Sequence, residues 1–199
     1  MVGCLALAGT ASAAVQQGDT EIDFQGGWMS QNSGGRPASS TDLAGIDFDA
    51  LYLSGGVGYF LTDNLQVSVV AMGAWTSTEI EQTTGASNDI DIDVYGIGGK
   101  AKYHFMPTNQ LVPYVGGQIL WTSADVDTSS GFMSSNTDVS RFDGTTDGLL
   151  WGPVAGIRYE LNAYNDFFVE YQYHIWTSDM DDVFDDGHGL FLGLIHQFK

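Results

Sequence analysis

Large apolar residues recur at every second position over eight stretches of the chain, and no stretch carries a stripe of 3.6-residue period. The alternation predicts strands over 20–30 (Ile22, Phe24, Trp28), 48–60 (Leu51, Leu53, Val57, Tyr59), 65–77 (Leu65, Val67, Val69, Trp75) and 90–105 (Tyr95, Ile97, Ala101, Tyr103, Phe105). It predicts four more over 112–123 (Val115, Ile119, Trp121), 147–161 (Leu149, Trp151, Ala155, Ile157, Tyr159), 167–177 (Phe167, Val169, Tyr171, Tyr173, Ile175) and 188–198 (Leu190, Leu192, Leu194, Phe198). The fourth strand slips phase near Val94, because Ile90, Ile92 and Val94 alternate oppositely to Tyr95 and Ile97. A bulge, or a strand end projecting into water, would produce that slip. Connections alternate between tight turns (Leu61–Asn64, Met106–Gln110, Asn162–Asp166) and longer loops (Gln31–Asp47, Thr78–Asp89, Ser123–Thr146, Ser178–Gly187). In an up-and-down meander every long loop then falls at one end, the asymmetry of outer-membrane barrels.

Period 2 alone does not say which face is wet. The apolar phase holds most of the large side chains, whereas the opposite phase is rich in glycine: Gly56, Gly58, Gly96, Gly98, Gly116, Gly152, Gly156, Gly189 and Gly193. Small residues suit the narrow lumen of an eight-stranded barrel. Gly55, Gly73, Gly99 and Gly117 fall on the other face, so this is a bias and not a rule. Trp28, Trp75, Trp121, Trp151 and Trp176 fall at the long-loop ends of strands, and Tyr59, Tyr103, Phe105, Tyr159, Phe167 and Phe198 at the short-turn ends. Two such aromatic girdles mark the levels where hydrocarbon meets headgroups. Each strand also supplies the roughly 9–11 residues that a tilted membrane strand needs. The expected fold is all-β: an eight-stranded antiparallel up-and-down transmembrane β-barrel.

The chain resembles the small outer-membrane barrels of Gram-negative bacteria, the outer membrane protein A/X and opacity-protein group often called porin-like. The resemblance rests on the strand–turn–strand from Gly56 to Leu65, on Val112–Gly117, on Ala155–Tyr159, on Phe167–Tyr173 and on the aromatic-terminated end Leu192–Phe198. It spans 19–198. It implies a bacterial outer-membrane location and handling by the barrel assembly machinery, which Lys199 after the terminal Phe198 would alter. The chain departs from the larger members in that nothing follows the eighth strand, so their peptidoglycan-binding domain is expected to be absent.

Composition narrows the partners. The 199 residues include 25 acidic and 6 basic side chains, for a formal charge of −19. That balance excludes nucleic-acid binding through a basic face and peripheral attachment to anionic membranes. Cys4 is the single cysteine, so no intrachain disulfide forms. Residues 1–14 are small and apolar and end in the cleavage pattern Ala11-Ser12-Ala13, as in a partial signal peptide whose basic start lies upstream. A buried N-terminal helix is the other reading. The barrel would occupy 15–199.

The glycine-rich phase also carries Lys100, Lys102 and Arg158 together with Glu21, Asp23, Glu160 and Glu170. Charges in a confined lumen must pair, so Lys100, Lys102, Arg158, Glu160 and Glu170 are expected to form an ion-pair network. The network would plug the barrel or, in the functional reading, gate a narrow ion path. Glu170, Gln172 and His174 share that face, but residues i and i+4 on a strand lie ~13 Å apart, too far for an acid–base dyad. No Ser/His/acid arrangement or paired Asp/His appears, so no catalysis is expected. The long loops and the strand ends beside them hold 18 of the 25 acidic residues, opposed there by Arg36 and Arg141. The densest cluster is Asp179, Asp181, Asp182, Asp185 and Asp186, which lacks EF-hand spacing. It is either a solvated surface or a seat for Ca²⁺ or Mg²⁺, which take carboxylate oxygens. The expected role is structural or surface-interacting through acidic extracellular loops, with lipopolysaccharide and a cationic surface partner as candidates. The alternative is a narrow, low-conductance channel for small solutes or ions.

Overall fold

A computed structural model describes residues 15–33, 47–81, 87–130, 144–178 and 184–198. They form eight strands: β1 (Thr20–Ser33), β2 (Asp47–Phe60), β3 (Leu65–Glu81), β4 (Ser87–His104), β5 (Leu111–Ser130), β6 (Gly144–Asn162), β7 (Asn165–Ser178) and β8 (Phe184–Phe198). Each pairs antiparallel with its sequence neighbours, and β1 pairs with β8 from Thr20↔Phe198 to Ser33↔Phe184, which closes the barrel. Closure removes the unpaired edges that an open sheet would present to lipid.

The short turns have local chemistry that sets them. The Thr62 hydroxyl accepts from the Leu65 amide (3.0 Å) between β2 and β3. Met106, with φ of 52°, bends the β4–β5 turn. The Asn162 carbonyl oxygen of the side chain accepts from the amides of Tyr164 (3.0 Å) and Asn165 (3.1 Å) between β6 and β7, an Asx turn.

The outward face is apolar. Phe24, Leu51, Val57, Val69, Ile97, Ile119, Ile157, Leu190 and Leu194 are all exposed, an arrangement that only a lipid solvent makes favourable. Tyr59, Tyr103, Phe105, Tyr159, Phe167 and Phe198 form the exposed aromatic belt at the short-turn end. At the other end Trp28, Trp75, Trp121 and Trp151 face outward. Trp176 does not: it is 3% exposed and points into the lumen, in phase with Glu170, Gln172 and His174. Strand parity settles this, since residues an even number apart share a face.

The strands outrun their expected ends on the long-loop side, reaching Glu81, Ser87, Ser130 and Gly144. Ser, Thr and Asp replace large apolar residues there, which blurs the pattern while the ladder continues. No bulge interrupts β4, whose register is unbroken against both β3 and β5. The phase slip at Val94 instead marks a change of solvent. Tyr95 and Ile97 face out below it, whereas above it Asp91 and Asp93 face out and Ile92 and Val94 are buried inside. The outer half of the lumen is thus apolar. Met29, Tyr52, Met72, Ile92, Val94, Leu120, Leu150, Trp176, Phe184 and Phe191 pack into one cluster, with the Tyr52 and Phe191 rings 4.6 Å apart.

Inward glycines leave room for these rings and for those lower down. A methyl group at Gly156 would run into the Tyr114 ring and hydroxyl and, at 2.6 Å, the Val169 carbonyl; at Gly193 it would strike the Phe168 ring. Outward Gly117 has only the Gly152 carbonyl, 3.6 Å away. Gly156→Val is therefore expected to cost about 1–3 kcal/mol by overpacking, and Gly117→Ala to be close to neutral. Urea unfolding in lipid vesicles, read by tryptophan fluorescence, checks both.

Candidate functional site

Among the described residues, the buried charges are three cations (Lys100, Lys102, Arg158) and four carboxylates (Glu21, Asp23, Asp166, Glu170). All are on inward phases, on β1, β4, β6 and β7, so backbone pleating alone brings them together. They fall into two clusters.

The lower cluster centres on Arg158, whose side chain is wholly buried. Its Nη2 lies 2.9 Å from Glu21 Oε2, and its Nε donates to Asp166 Oδ2. Two amides add to the shell: Gln197 Nε2 donates to Asp166 (2.8 Å) and Gln66 Nε2 donates to Glu21 Oε1. Because Gln66 gives its N–H to a carboxylate, its oxygen faces His104 Nε2 at 3.2 Å, so that ring nitrogen carries the proton. The Phe60 ring lies 5.9 Å from the guanidinium carbon. An arginine fork held by carboxylates from two different strands is a rigid cross-brace at the short-turn end.

The upper cluster centres on Glu170. Lys100 Nζ is 2.7 Å from its Oε1, Tyr114 donates to Oε2 at 2.9 Å, and Gln172 Nε2 donates to Oε1 at 2.6 Å. Lys102 lies between the clusters and makes no ion pair among the described residues. Its Nζ sits 5.2 Å from the Tyr114 ring centre and 6.0 Å from that of Phe168, where the ring faces attract the ammonium. Asp23 lies in the field of both Lys102 and Lys100.

The expected network thus contains Lys100, Arg158 and Glu170 as paired members, and Lys102 as an aromatic-caged one. Glu160 is not a member. It is partly exposed at the rim, its amide donates to the Gln110 carbonyl (2.9 Å), and the β6–β7 register shifts just beyond it. Asp166 takes the place expected for it. Reading 162–166 as a turn hid this residue, although its even spacing from Phe168 and Glu170 marks it as inward. Asp179, Asp181 and Asp182 lie outside the described residues. Asp185 belongs to β8, and Asp186 accepts from the Tyr173 hydroxyl. Among the described residues no three His, Cys, Asp or Glu side chains converge as a metal site.

Side chains fill the described lumen. Ionic cross-braces fill the short-turn half and the apolar cluster fills the long-loop half. Arg158→Met would strand Glu21 and Asp166 as uncompensated buried charges, at a cost of about 3–5 kcal/mol. The triple change Arg158→Met/Glu21→Gln/Asp166→Asn should recover most of that loss. Equal urea midpoints for the single and triple variants would show that the pairing is not what holds the base.

Comparison with known proteins agrees with this architecture. The family model described as the outer membrane protein beta-barrel domain matches residues 2–198. Neisserial surface protein A superposes with a TM-score of 0.60 at 18% identity, covering 92% of this chain and 98% of that one. The outer membrane protein OprG of Pseudomonas aeruginosa superposes with a TM-score of 0.56 at 17% identity, covering 94% and 98%. At such identities the likeness is one of fold. No curated protein matches the sequence. With a closed eight-stranded barrel, a lipid-facing apolar belt and a family match over nearly its whole length, the chain belongs to the outer membrane protein beta-barrel domain family and resides in the bacterial outer membrane.

Proposed function

We propose that the protein is a non-catalytic barrel with a structural and surface-interaction role, working through its acidic outer end and not through its lumen. The observation that carries this reading is the contrast between the two. The lumen is packed with braced charges and an apolar cluster. Beyond the tryptophans, by contrast, the outer strand ends turn acidic on their exposed face. Asp91, Asp93, Asp125 and Asp147 point outward there, and the register sets Asp93 opposite Asp125 and Asp91 opposite Asp127. Like charges directly opposite on an antiparallel pair destabilise it, so fold stability does not account for this placement. A narrow channel, the alternative reading, requires both closures of the lumen to open.

Such a surface repels anions and concentrates cations within about a Debye length, ~8 Å at physiological salt. Lipopolysaccharide, the lipid around the barrel, is itself anionic. The reading is that divalent cations bridge its phosphates to the acidic end, including Asp179, Asp181, Asp182, Asp185 and Asp186, and that a basic protein is the class of partner this end would meet. Millimolar Ca²⁺ is expected to protect 178–187 from proteolysis more than Na⁺ at equal ionic strength. Screening treats the two salts alike, whereas carboxylate coordination does not. Asp181→Asn/Asp185→Asn should lose the Ca²⁺ advantage. Equal protection by both salts would remove coordination from the account.

A further inference from the structure

One element of the lumen belongs to neither cluster alone. The inward residues of β7 stand one above another as Asp166, Phe168, Glu170, Gln172, His174 and Trp176, and the upper four are linked with Gln31 of β1 into a continuous chain of hydrogen bonds. Trp176 Nε1 donates to Gln31 Oε1 (2.8 Å). Gln31 Nε2 faces His174 Nδ1 (3.2 Å). His174 Nε2 faces Gln172 Oε1 (3.0 Å), which also accepts from Gln118 (3.0 Å). Gln172 Nε2 donates to Glu170 Oε1 (2.6 Å).

The direction of this chain is fixed from both ends. An indole N–H only donates, and an ionised carboxylate only accepts. Glu170 therefore forces Gln172 to present its amide nitrogen downward and its oxygen upward. That oxygen requires a proton on His174 Nε2, which leaves Nδ1 as an acceptor. Nδ1 in turn requires the nitrogen of Gln31, whose oxygen is then turned to Trp176. Every amide and the imidazole have one orientation that satisfies all partners. The chain spans the three two-residue steps from Glu170 to Trp176, ~20 Å of strand. It thus joins the ionic half of the lumen to the apolar half. At its upper end Trp176 packs against Phe184 (ring centres 5.1 Å apart), and His174 packs against Tyr52 and Phe191 (6.3 Å each).

We propose that this ladder is a latch coupling the two closures: the carboxylate of Glu170, through Gln172, His174 and Gln31, holds Trp176 in the apolar outer closure. Loss of that carboxylate leaves Trp176 alone to fix the chain, so the flipped amides and the other His174 tautomer become accessible whenever the Trp176 bond breaks, and the outer closure loosens from within. The latch rests on the lumen geometry alone and is independent of the surface role.

The test uses the full barrel in nanodiscs. Nitrogen-15 NMR should find His174 neutral with its proton on Nε2. The change Glu170→Gln, made together with Lys100→Met so that Lys100 does not lose its partner, should introduce the Nδ1-protonated form. In a chain whose other tryptophans are phenylalanine, the same double change should raise acrylamide quenching of Trp176 several-fold. If that chain does not fold, the fluorine resonance of fluorotryptophan at Trp176 in the otherwise native sequence reports the same loosening. A charged His174 or an Nδ1-bound proton in the unaltered protein would overturn the latch. So would a Trp176 signal that ignores the change at Glu170.

Discussion

Hydrocarbon offers no hydrogen bonds, and this one constraint governs the whole molecule. Every peptide group that crosses the bilayer must find its partner on another strand, so the sheet must close, and β1 meets β8 along nearly their full lengths. Closure with eight strands leaves an interior only wide enough for side chains. Pleating then assigns alternate residues to lipid and to that interior. Period 2, the outward apolar belt and the crowded lumen are three consequences of the same requirement.

A crowded lumen cannot hold charges that ignore one another. Arg158 is braced by Glu21 and Asp166, and Glu170 by Lys100 and Tyr114. Arg158–Glu21 ties β6 to β1 and Lys100–Glu170 ties β4 to β7 across the lumen, whereas Arg158–Asp166 joins the neighbouring strands β6 and β7. Their desolvation is costly, and purely apolar residues would fill the same space. The apolar cluster above them does so. Gly156, Gly193 and Gly189 lie against the rings of Tyr114, Phe168 and Phe191, which lets large rings enter an interior that would otherwise reject them.

Much of this was legible in the sequence, because lipid imposes a strict alternation. All eight strands, the three tight turns and the inward phase of Lys100, Lys102, Arg158 and Glu170 follow from parity. The failures have physical causes. Height along the strand assigns Trp176 to a girdle, but its parity with Glu170 sends it inward. The slip at Val94 is the point where the outer face passes from lipid to water, so the same ladder reverses its polarity without a bulge. Asp166 looked like part of a turn, and Glu160 like part of the lumen, because the register irregularity between them is invisible to a periodic pattern. The hydrogen-bond ladder on β7 depends on side-chain orientations that no pattern encodes.

Side chains fill the lumen at both levels, and the proposed role of the outer end requires that the bore does not conduct. Conductance of the purified protein in planar bilayers tests it most directly. The unaltered barrel should be silent, and a leak should appear only when Arg158→Ala, which cuts the lower brace, is combined with Tyr52→Ala/Phe191→Ala in the outer cluster. A steady, ion-selective conductance from the unaltered protein would contradict it and assign the work to the lumen.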